Sequence, residues 1–172
     1  EKCVTEVDLA AAGKKNLLQF PLAAEVKHDG FRCVNIEGQS LMRSLKPLKN
    51  LFAWNRLGSV FGTHDTSMAV PKNHPLHGLD GELIALDPET LEEQPLNISQ
   101  SRFNSRDGNP RFVFHIFDDF SDPTVDYMRR KDRMFERVER IRSYVSNTEF
   151  QTNPNPRFKR IPDHVFQATE YR

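Results

Sequence analysis

The pattern of hydrophobic and polar positions predicts several strands followed by one long helix. Residues 20–36 hold two extended stretches separated by Asp29-Gly30, a dipeptide typical of tight turns, so we expect a strand, a turn and a strand there. Leu79 to Leu86 is a third strand candidate. Residues 111–117 are aromatic and β-branched, as strands prefer, and form the clearest strand in the sequence.

The segment after these strands has the periodicity of a helix. Apolar residues recur at spacings of four, three and four and therefore share one helix face: Met134, Val138, Ile141 and Val145. Asp122 is a suitable helix cap and Pro123 suits the first helical position, so we expect one helix from there to about Ser146. Strands, then a helix, then further sheet predict the α+β class.

Polar segments connect these elements. Residues 38–50 are polar and cationic and predict a loop between strands, and residues 87–110 predict a long surface loop rich in Pro, Asn, Ser and Gly. Residues 152–163 predict a turn-rich connection to a last fragment, residues 164–172. A short amphipathic stretch, residues 7–20, opens the chain.

Composition narrows the function classes. Over 172 residues, 24 basic and 24 acidic side chains give a net charge of +0, which excludes a strongly basic nucleic-acid coat but permits a local basic groove. No apolar run approaches the roughly 20 residues of a membrane helix. Two cysteines, Cys3 and Cys33, make no disulfide framework. We expect one cytoplasmic, monomeric domain that does not contact a membrane.

The segment Lys27-x-Asp29-Gly30-x-Arg32 is the strongest chemical signal. A lysine beside a tight turn can project its amine into a cleft, and Gly30 allows the backbone to approach a ligand closely. Arg32 is a second cation across the turn, and neighbouring cations lower the pKa of a lysine. The neutral amine is a nucleophile, and the same cations neutralise a phosphate. An ordinary hairpin with solvated charges is the structural alternative.

Two strand candidates carry further signals. In residues 79–83, two acids and a glycine interrupt an apolar run, and Glu82 is suited to accept a ribose hydroxyl or hold a divalent metal. A bulged strand with exposed acids is the alternative. Phe117, at the end of its strand, is suited to stack on a base, unless it is a core residue. His115 has no metal-ligating companion at a useful spacing, so we expect a hydrogen-bonded structural histidine.

The fourth signal is a cationic loop. Residues 42–50 contain Arg43, Lys46 and a third cation, Lys49, on a segment held by a proline. Such a loop is suited to contact phosphates. A solubilising loop is the alternative.

In this order the four segments resemble the nucleotidyltransferase core of ATP-dependent DNA ligases, especially the compact viral and bacteriophage type. Residues 25–32 resemble the family's lysine motif and residues 43–50 its arginine-containing motif. Residues 79–83 resemble the third motif, and residues 114–118 the F-x-x-F-D type that follows. The resemblance implies antiparallel β-sheets flanked by helices, similar to ATP-grasp proteins.

The resemblance also implies how ATP is used. Lys27 would attack the α-phosphate and become lysyl-AMP, with release of pyrophosphate. Glu25 would accept from the adenine amino group, and Arg32 would contact the ribose and phosphates. Glu82 would bind the ribose hydroxyl or support a metal, and Phe117 would stack on adenine. Mg²⁺ would offset the charge on the phosphates.

The implied partner is nicked duplex DNA. Arg43 would contact the 5′-phosphate at the nick, together with Lys46 on the same loop. AMP would pass to that phosphate, and a 3′-hydroxyl would displace it. This activity would serve DNA replication, repair and recombination, in the host cytoplasm if the protein is viral.

The sequence departs from the family pattern in places. Met42 replaces the usual serine before Arg43, and no Glu-Gly motif follows Gly108. A convincing Lys-x-Lys strand is also absent from the sequence. We therefore expect residues 1–172 to be a partial adenylation domain, without the distal OB-fold domain, that cannot seal a nick by itself.

Three alternatives stay open. RNA ligases and messenger RNA capping guanylyltransferases share the lysine motif. A non-catalytic nucleotide- or nucleic-acid-binding fragment of the same fold would keep Phe117 and the cationic loop without covalent chemistry. An unrelated α+β domain would require all four motifs to be coincidental.

Overall fold

A computed structural model describes residues 25–59, 75–152 and 166–168. These residues form one sheet of five strands: β1 (Phe31–Ile36), β2 (Gln39–Met42), β3 (Leu79–Ala85), β4 (Phe112–Asp119) and β5 (Phe166–Ala168). The helices are α1 (Leu51–Ser59), α2 (Leu96–Asn104) and α3 (Tyr127–Thr152). The strand order is β2-β1-β3-β4-β5, in which β5 alone of these pairs parallel to its neighbour. An antiparallel sheet with flanking helices agrees with the predicted α+β class.

The hairpin turn lies later than the sequence predicted. Glu37 and Gly38 connect β1 to β2, with φ angles of 49° and 75°, as a tight hairpin turn requires. The predicted turn at Asp29-Gly30 is wrong, because β1 pairs with β2 and β3 and residues 26–29 form no strand. The predicted strand after Gly30 is confirmed, whereas residues 39–42 are a strand within the predicted 38–50 loop. The loop was predicted to lie between strands, but helix α1 follows it.

The two faces of the sheet differ in chemistry. Side chains alternate along each strand, so paired residues at alternate positions share a face. Cys33, Leu83 and Phe114 belong to the buried core face, which packs against all three helices. The opposite face carries Arg32 and Glu82, which are directly paired on β1 and β3. This second face is called the polar face below.

Helix α2 lies inside the segment predicted as a surface loop. The hydroxyl of Ser99 accepts a hydrogen bond from the amide of Ala85 at 3.0 Å, and Phe103 is fully buried. Only Ser99 and Phe103 of this helix are buried, so its apolar face is too narrow to give a clear helical period. The prediction of an irregular 87–110 segment is wrong there for this reason.

Helix α3 begins four residues after the predicted start. Asp122 caps a preceding turn by accepting from the amide of Thr124, at 3.0 Å. Asp126 accepts from the amide of Arg129 at 3.1 Å and caps the helix itself. The predicted apolar face is confirmed by the burial of Met134, Val138 and Ile141. The side chain of Val145 lies outside the described residues.

The strands predicted at 79–86 and 111–117 are confirmed. The amphipathic stretch at 7–20 lies outside the described residues, as do residues 153–163 of the predicted 152–163 connection, whereas Thr152 is the last residue of helix α3. Among the helices that the structure describes, none combines the length and apolar character needed to cross a membrane.

Candidate functional site

Strand pairing gathers the motif residues into a row on the polar face. Arg32 on β1 is paired with Glu82 on β3, and Glu82 is paired with His115 on β4. Phe117 lies two positions beyond His115, where a register shift interrupts the β3–β4 ladder. Three strands that are about fifty and thirty residues apart in the sequence thus place these side chains together. The pairing of the strands, and not local sequence, determines that they meet.

Arg32 is fixed by contacts on two sides. Its Nε donates to Oδ1 of Asp80 at 3.1 Å, and a terminal nitrogen donates to the other carboxylate oxygen. Its guanidinium carbon lies 5.3 Å from the centre of the Phe117 ring, within the range of a cation–π contact. The result is a cation held over an aromatic ring at the end of β4.

Glu82 is tied to the segment that precedes β1. Its Oε1 accepts a hydrogen bond from the backbone amide of Gly30 at 3.2 Å. A Cβ at Gly30 would lie 2.6 Å from the carbonyl oxygen of Leu83, closer than atoms can pack. Gly30 therefore allows close approach to strand β3, whereas the sequence predicted close approach to a ligand.

Burial acts on both carboxylates of this face. It raises the pKa of Asp80, against the hydrogen bond and charge of Arg32, which favour the ionised form. Burial likewise raises the pKa of Glu82, against the amide of Gly30 and the charges of Arg32 and Lys27. The polar face thus holds two acids whose ionised forms depend on nearby cations.

Lys27 lies at the rim of this face. Its side chain is 78% exposed and forms an ion pair with Asp29. The next residue, His28, is stacked on His115, and the amide of Gly30 donates to Glu82, so Lys27 lies beside the row. The sequence predicted that Arg32 acts on Lys27 as a neighbouring cation. In the structure each cation has a carboxylate partner instead, Asp29 for Lys27 and Asp80 for Arg32.

Glu25 is held by a residue that the sequence analysis missed. Its Oε1 lies 2.8 Å from Nζ of Lys131, a fully buried lysine on helix α3. The same ammonium donates to the backbone carbonyl of Phe117 at 2.7 Å. The sequence could have identified Lys131, because it precedes Met134 by three residues and so falls on the apolar face of the helix. The predicted contact of Glu25 with adenine stays a prediction.

Helix α3 is also anchored behind the end of β4. Asp119 is fully buried and accepts from Nε of Arg133 at 2.9 Å, and Arg137 lies at the same distance. Burial opposes ionisation of Asp119, but hydrogen bonds from Ser121 and Arg137 outweigh it and lower its pKa. Asp118 pairs with Arg130 at 3.0 Å. These contacts fix the strand end on which Phe117 is carried.

Arg43 and Lys46 lie on an ordered turn beside the row. The amide of Met42 donates to the carbonyl of Lys46 and the amide of Leu45 to that of Met42, both at 2.8 Å. Met42 is paired with Cys33, so Arg43 leaves β2 at the level of Arg32. Both predicted nucleic-acid contacts, Arg43 and Lys46, are exposed.

His115 has companions that the sequence did not reveal. The rings of His28 and His115 are stacked, with centroids 3.8 Å apart and planes within 10°. Nε2 of His115 lies 2.6 Å from Oε1 of Glu93. Burial and the neighbouring His115 lower the pKa of His28. The prediction of a hydrogen-bonded histidine at position 115 is confirmed, and the fold also brings two potential metal ligands, His28 and Glu93, close to it from distant segments.

Comparison with known proteins gives similarity at the level of the fold. No protein-family model and no curated protein matches the sequence. A crystal structure of Chlorella virus DNA ligase–adenylate superposes on 74% of this chain with a TM-score of 0.53 and 24% sequence identity. A second crystal structure of that ligase–adenylate covers 88% of this chain at 22% identity, with a TM-score of 0.49. The chain spans 40% of the length of the first structure and 43% of the second. The described residues thus have a DNA ligase-like fold.

Proposed function

We propose that this chain is the nucleotide-binding part of an ATP-dependent DNA ligase that captures AMP on Lys27. The observation that carries the proposal is the row on the polar face, where Arg32, Glu82 and Phe117 meet beside Lys27. These are the residues whose motifs resemble those of ligases. The ligase-like fold supports the proposal independently of the motifs.

Each member of the row offers one kind of contact to a nucleotide. The half-buried ring of Phe117 supplies an aromatic surface for the adenine. Glu82 supplies a carboxylate acceptor for a ribose hydroxyl, and Arg32 supplies a cation toward the phosphates. The contact between Arg32 and the Phe117 ring places a charged group and a stacking surface next to each other, as the two ends of a nucleotide require.

Lys27 supplies the nucleophile. Its ammonium gives up a proton to solvent, and the amine then attacks the α-phosphorus of ATP. A phosphorus–nitrogen bond forms as the bond to pyrophosphate breaks, and pyrophosphate leaves with the electron pair. The exposed position of the lysine leaves room for the triphosphate at the rim of the polar face.

The residues present fit a magnesium ion at the phosphates. Mg²⁺ binds oxygen ligands, and a nearby cation favours the ionised form of a half-buried carboxylate such as Glu82. Asp80 is already paired with Arg32, so Glu82 is the residue that would support the ion. When bound, Mg²⁺ would offset charge on the phosphates.

The turn that carries Arg43 and Lys46 is suited to the second half of the reaction. It lies at the level of Arg32 and exposes two cations on a backbone held by hydrogen bonds. We propose that it contacts the 5′-phosphate of a nick in duplex DNA, to which AMP passes before a 3′-hydroxyl displaces it. The chain spans less than half of the structurally similar ligase, so sealing belongs to the proposal for the whole protein.

Mass spectrometry for a lysine-linked AMP tests the proposal most directly. We expect the protein incubated with ATP and Mg²⁺ to carry AMP on Lys27, and Lys27→Ala to lose the adduct while keeping its circular dichroism spectrum. Lys49→Ala, which removes another exposed lysine, is the matched control and should retain the adduct. An adduct of unchanged yield in Lys27→Ala would remove the catalytic assignment.

The same assay separates the related activities. Label transfer from ATP but not GTP distinguishes a ligase from a capping guanylyltransferase. The adenylated protein is then offered nicked DNA and nicked RNA duplexes, and we expect AMP to move to the DNA 5′-phosphate. Transfer to the RNA nick alone would replace the DNA ligase proposal with an RNA ligase.

A further inference from the structure

We propose that His28, His115 and Glu93 form a binding site for a divalent transition-metal ion of the Zn²⁺ type. The ion would fasten the segment that carries Lys27 to strand β4. The site shares no ligand with the proposed Mg²⁺ chemistry, and its existence does not depend on adenylation.

The ligand atoms are already close together. One atom from each of the three side chains lies within 4.8 Å of the other two, and no other group of this kind occurs among the residues that the structure describes. Two imidazoles and one carboxylate are a donor set that binds Zn²⁺ in proteins with a fourth position open to water. Imidazole nitrogen favours such an ion over Mg²⁺, which prefers oxygen.

Three separate segments build the cluster. His115 is 5% exposed and lies on β4, between the central strand β3 and the edge strand β5. Glu93 forms an isolated bridge with Leu86, and the next amide, of Gln94, donates to the carbonyl of Ala85 at 2.8 Å. His28 directly follows Lys27. The fold has thus brought together residues 28, 93 and 115 by tertiary structure rather than by local sequence.

The His115 and Glu93 side chains already meet. Nε2 of His115 and Oε1 of Glu93 are hydrogen-bonded at 2.6 Å, so an ion bound by both would replace the shared proton and separate the two atoms to roughly 3.3 Å, the spacing of tetrahedral zinc ligands. His28 must rotate to join them, since its ring is stacked on His115 and one ion cannot lie in the planes of two parallel rings 3.8 Å apart. His28 lies in a segment without regular secondary structure and is half-buried, so a change of its side-chain torsions disturbs no strand pairing.

Metal binding by His28 would restrict the position of the adjacent Lys27. The side chain of His28 would become a ligand, and the adjacent lysine would be held at a fixed distance from β4. His115 is paired with Glu82, so the anchoring point belongs to the same row as the proposed nucleotide contacts. A bound ion would thereby order the lysine-bearing segment before ATP arrives.

Zinc titration by calorimetry tests the site in the intact protein, with excess Mg²⁺ present to suppress oxygen-only sites. We expect one Zn²⁺ per chain, and a loss of affinity of at least about tenfold in both His28→Gln and Glu93→Gln. Neither residue lies within a strand or helix, so both variants should fold. Glu92→Gln, an exposed neighbouring acid, is the matched control and should bind as the unmodified protein does.

Two further measurements exclude other sites. On addition of Zn²⁺, the imidazole ¹⁵N resonances of His28 and His115 should shift, and the amides of residues 28–30 should exchange more slowly with solvent. Absence of stoichiometric zinc binding, or binding that both variants leave unchanged, would overturn the proposal. The AMP adduct on Lys27 is scored separately, so failure of the metal site and failure of the ligase proposal give different results.

Discussion

Nζ of Lys131 donates to the backbone carbonyl of Phe117 at 2.7 Å, which joins helix α3 to the end of strand β4. The same ammonium binds Glu25 at 2.8 Å, so one buried cation connects the helix, the strand end and the segment that leads to Lys27. The end of β4 and the segment before Lys27 thus depend on a lysine that faces the protein interior.

Removal of this cation should destabilise the fold. In Lys131→Met the carbonyl of Phe117 and the carboxylate of Glu25 both lose their partner, and we expect a loss of about 2 kcal/mol in the free energy of unfolding. Urea denaturation followed by circular dichroism measures it. Arg129→Met, on the exposed side of the same helix, should cost less than about 0.5 kcal/mol.

A double variant distinguishes the ion pair from simple packing. If the loss comes from stranding Glu25, then adding Glu25→Gln to Lys131→Met should recover part of it, because the unpaired charge is gone. If the double variant loses as much stability as the two single variants combined, then Glu25 and Lys131 do not interact energetically.

The sequence predicted elements with a strong period and missed those whose stability comes from tertiary contacts. Met134 and Val138 recur at helical spacing, so helix α3 was predictable. Helix α2 buries only Ser99 and Phe103, and Ser99 is fixed by the amide of Ala85, a partner in another element. No pattern within residues 87–110 contains that information.

The same distinction holds for the candidate site. The motif spacing identified Arg32 and Glu82 as candidates, and their direct pairing was then found in the structure. The cluster of His28, Glu93 and His115 could not be predicted, because its members come from segments with no common motif. Strand register decides which distant side chains meet, and register depends on the whole sheet.

Gly30 should tolerate no side chain. A Cβ at this position would lie 2.6 Å from the carbonyl oxygen of Leu83, which belongs to the backbone of β3 and cannot move aside. We expect Gly30→Ala to lower the free energy of unfolding by about 1–3 kcal/mol. Asp29→Ala, one residue earlier and exposed, should change it by less than about 1 kcal/mol. Equal stability of Gly30→Ala and the unmodified protein in urea would contradict the close packing.

Phe117 should govern ATP affinity through its ring. Phe117→Leu keeps the backbone carbonyl that Lys131 binds but removes the stacking surface, and base stacking on an aromatic residue contributes about 1–3 kcal/mol. We expect ATP to bind about tenfold more weakly, as measured by calorimetry. Phe117→Tyr should restore binding because it keeps a ring.

An aromatic control separates this effect from general loss of packing. Phe52→Leu removes a partly exposed ring from helix α1 and should leave ATP affinity unchanged. If both leucine variants weaken binding equally, the ring of Phe117 has no specific role.

Glu82 should make stability depend on pH in a defined direction. Burial raises its pKa from the ordinary value of 4.5, so the folded protein keeps the proton on Glu82 to a higher pH than the unfolded chain does. Its contribution to stability is therefore fully present below pH 4.5 and is lost as the pH rises through the folded-state pKa. Glu82→Gln removes this loss and keeps an oxygen for the amide of Gly30. We expect the variant to be more stable than the unmodified protein at pH 7, with a smaller difference at pH 4.

Urea denaturation of both proteins at the two pH values measures this difference. Asp80 also has a raised pKa, but it is present in both proteins and its contribution largely cancels in the comparison. Glu89→Gln, an exposed acid before helix α2, should show no such trend. If the stability gained by Glu82→Gln were larger at pH 4 than at pH 7, the inference that burial disfavours the ionised Glu82 would be wrong. If the variant is more stable yet forms less AMP adduct, then the carboxylate lowers stability in the free protein and is retained for its role toward the nucleotide.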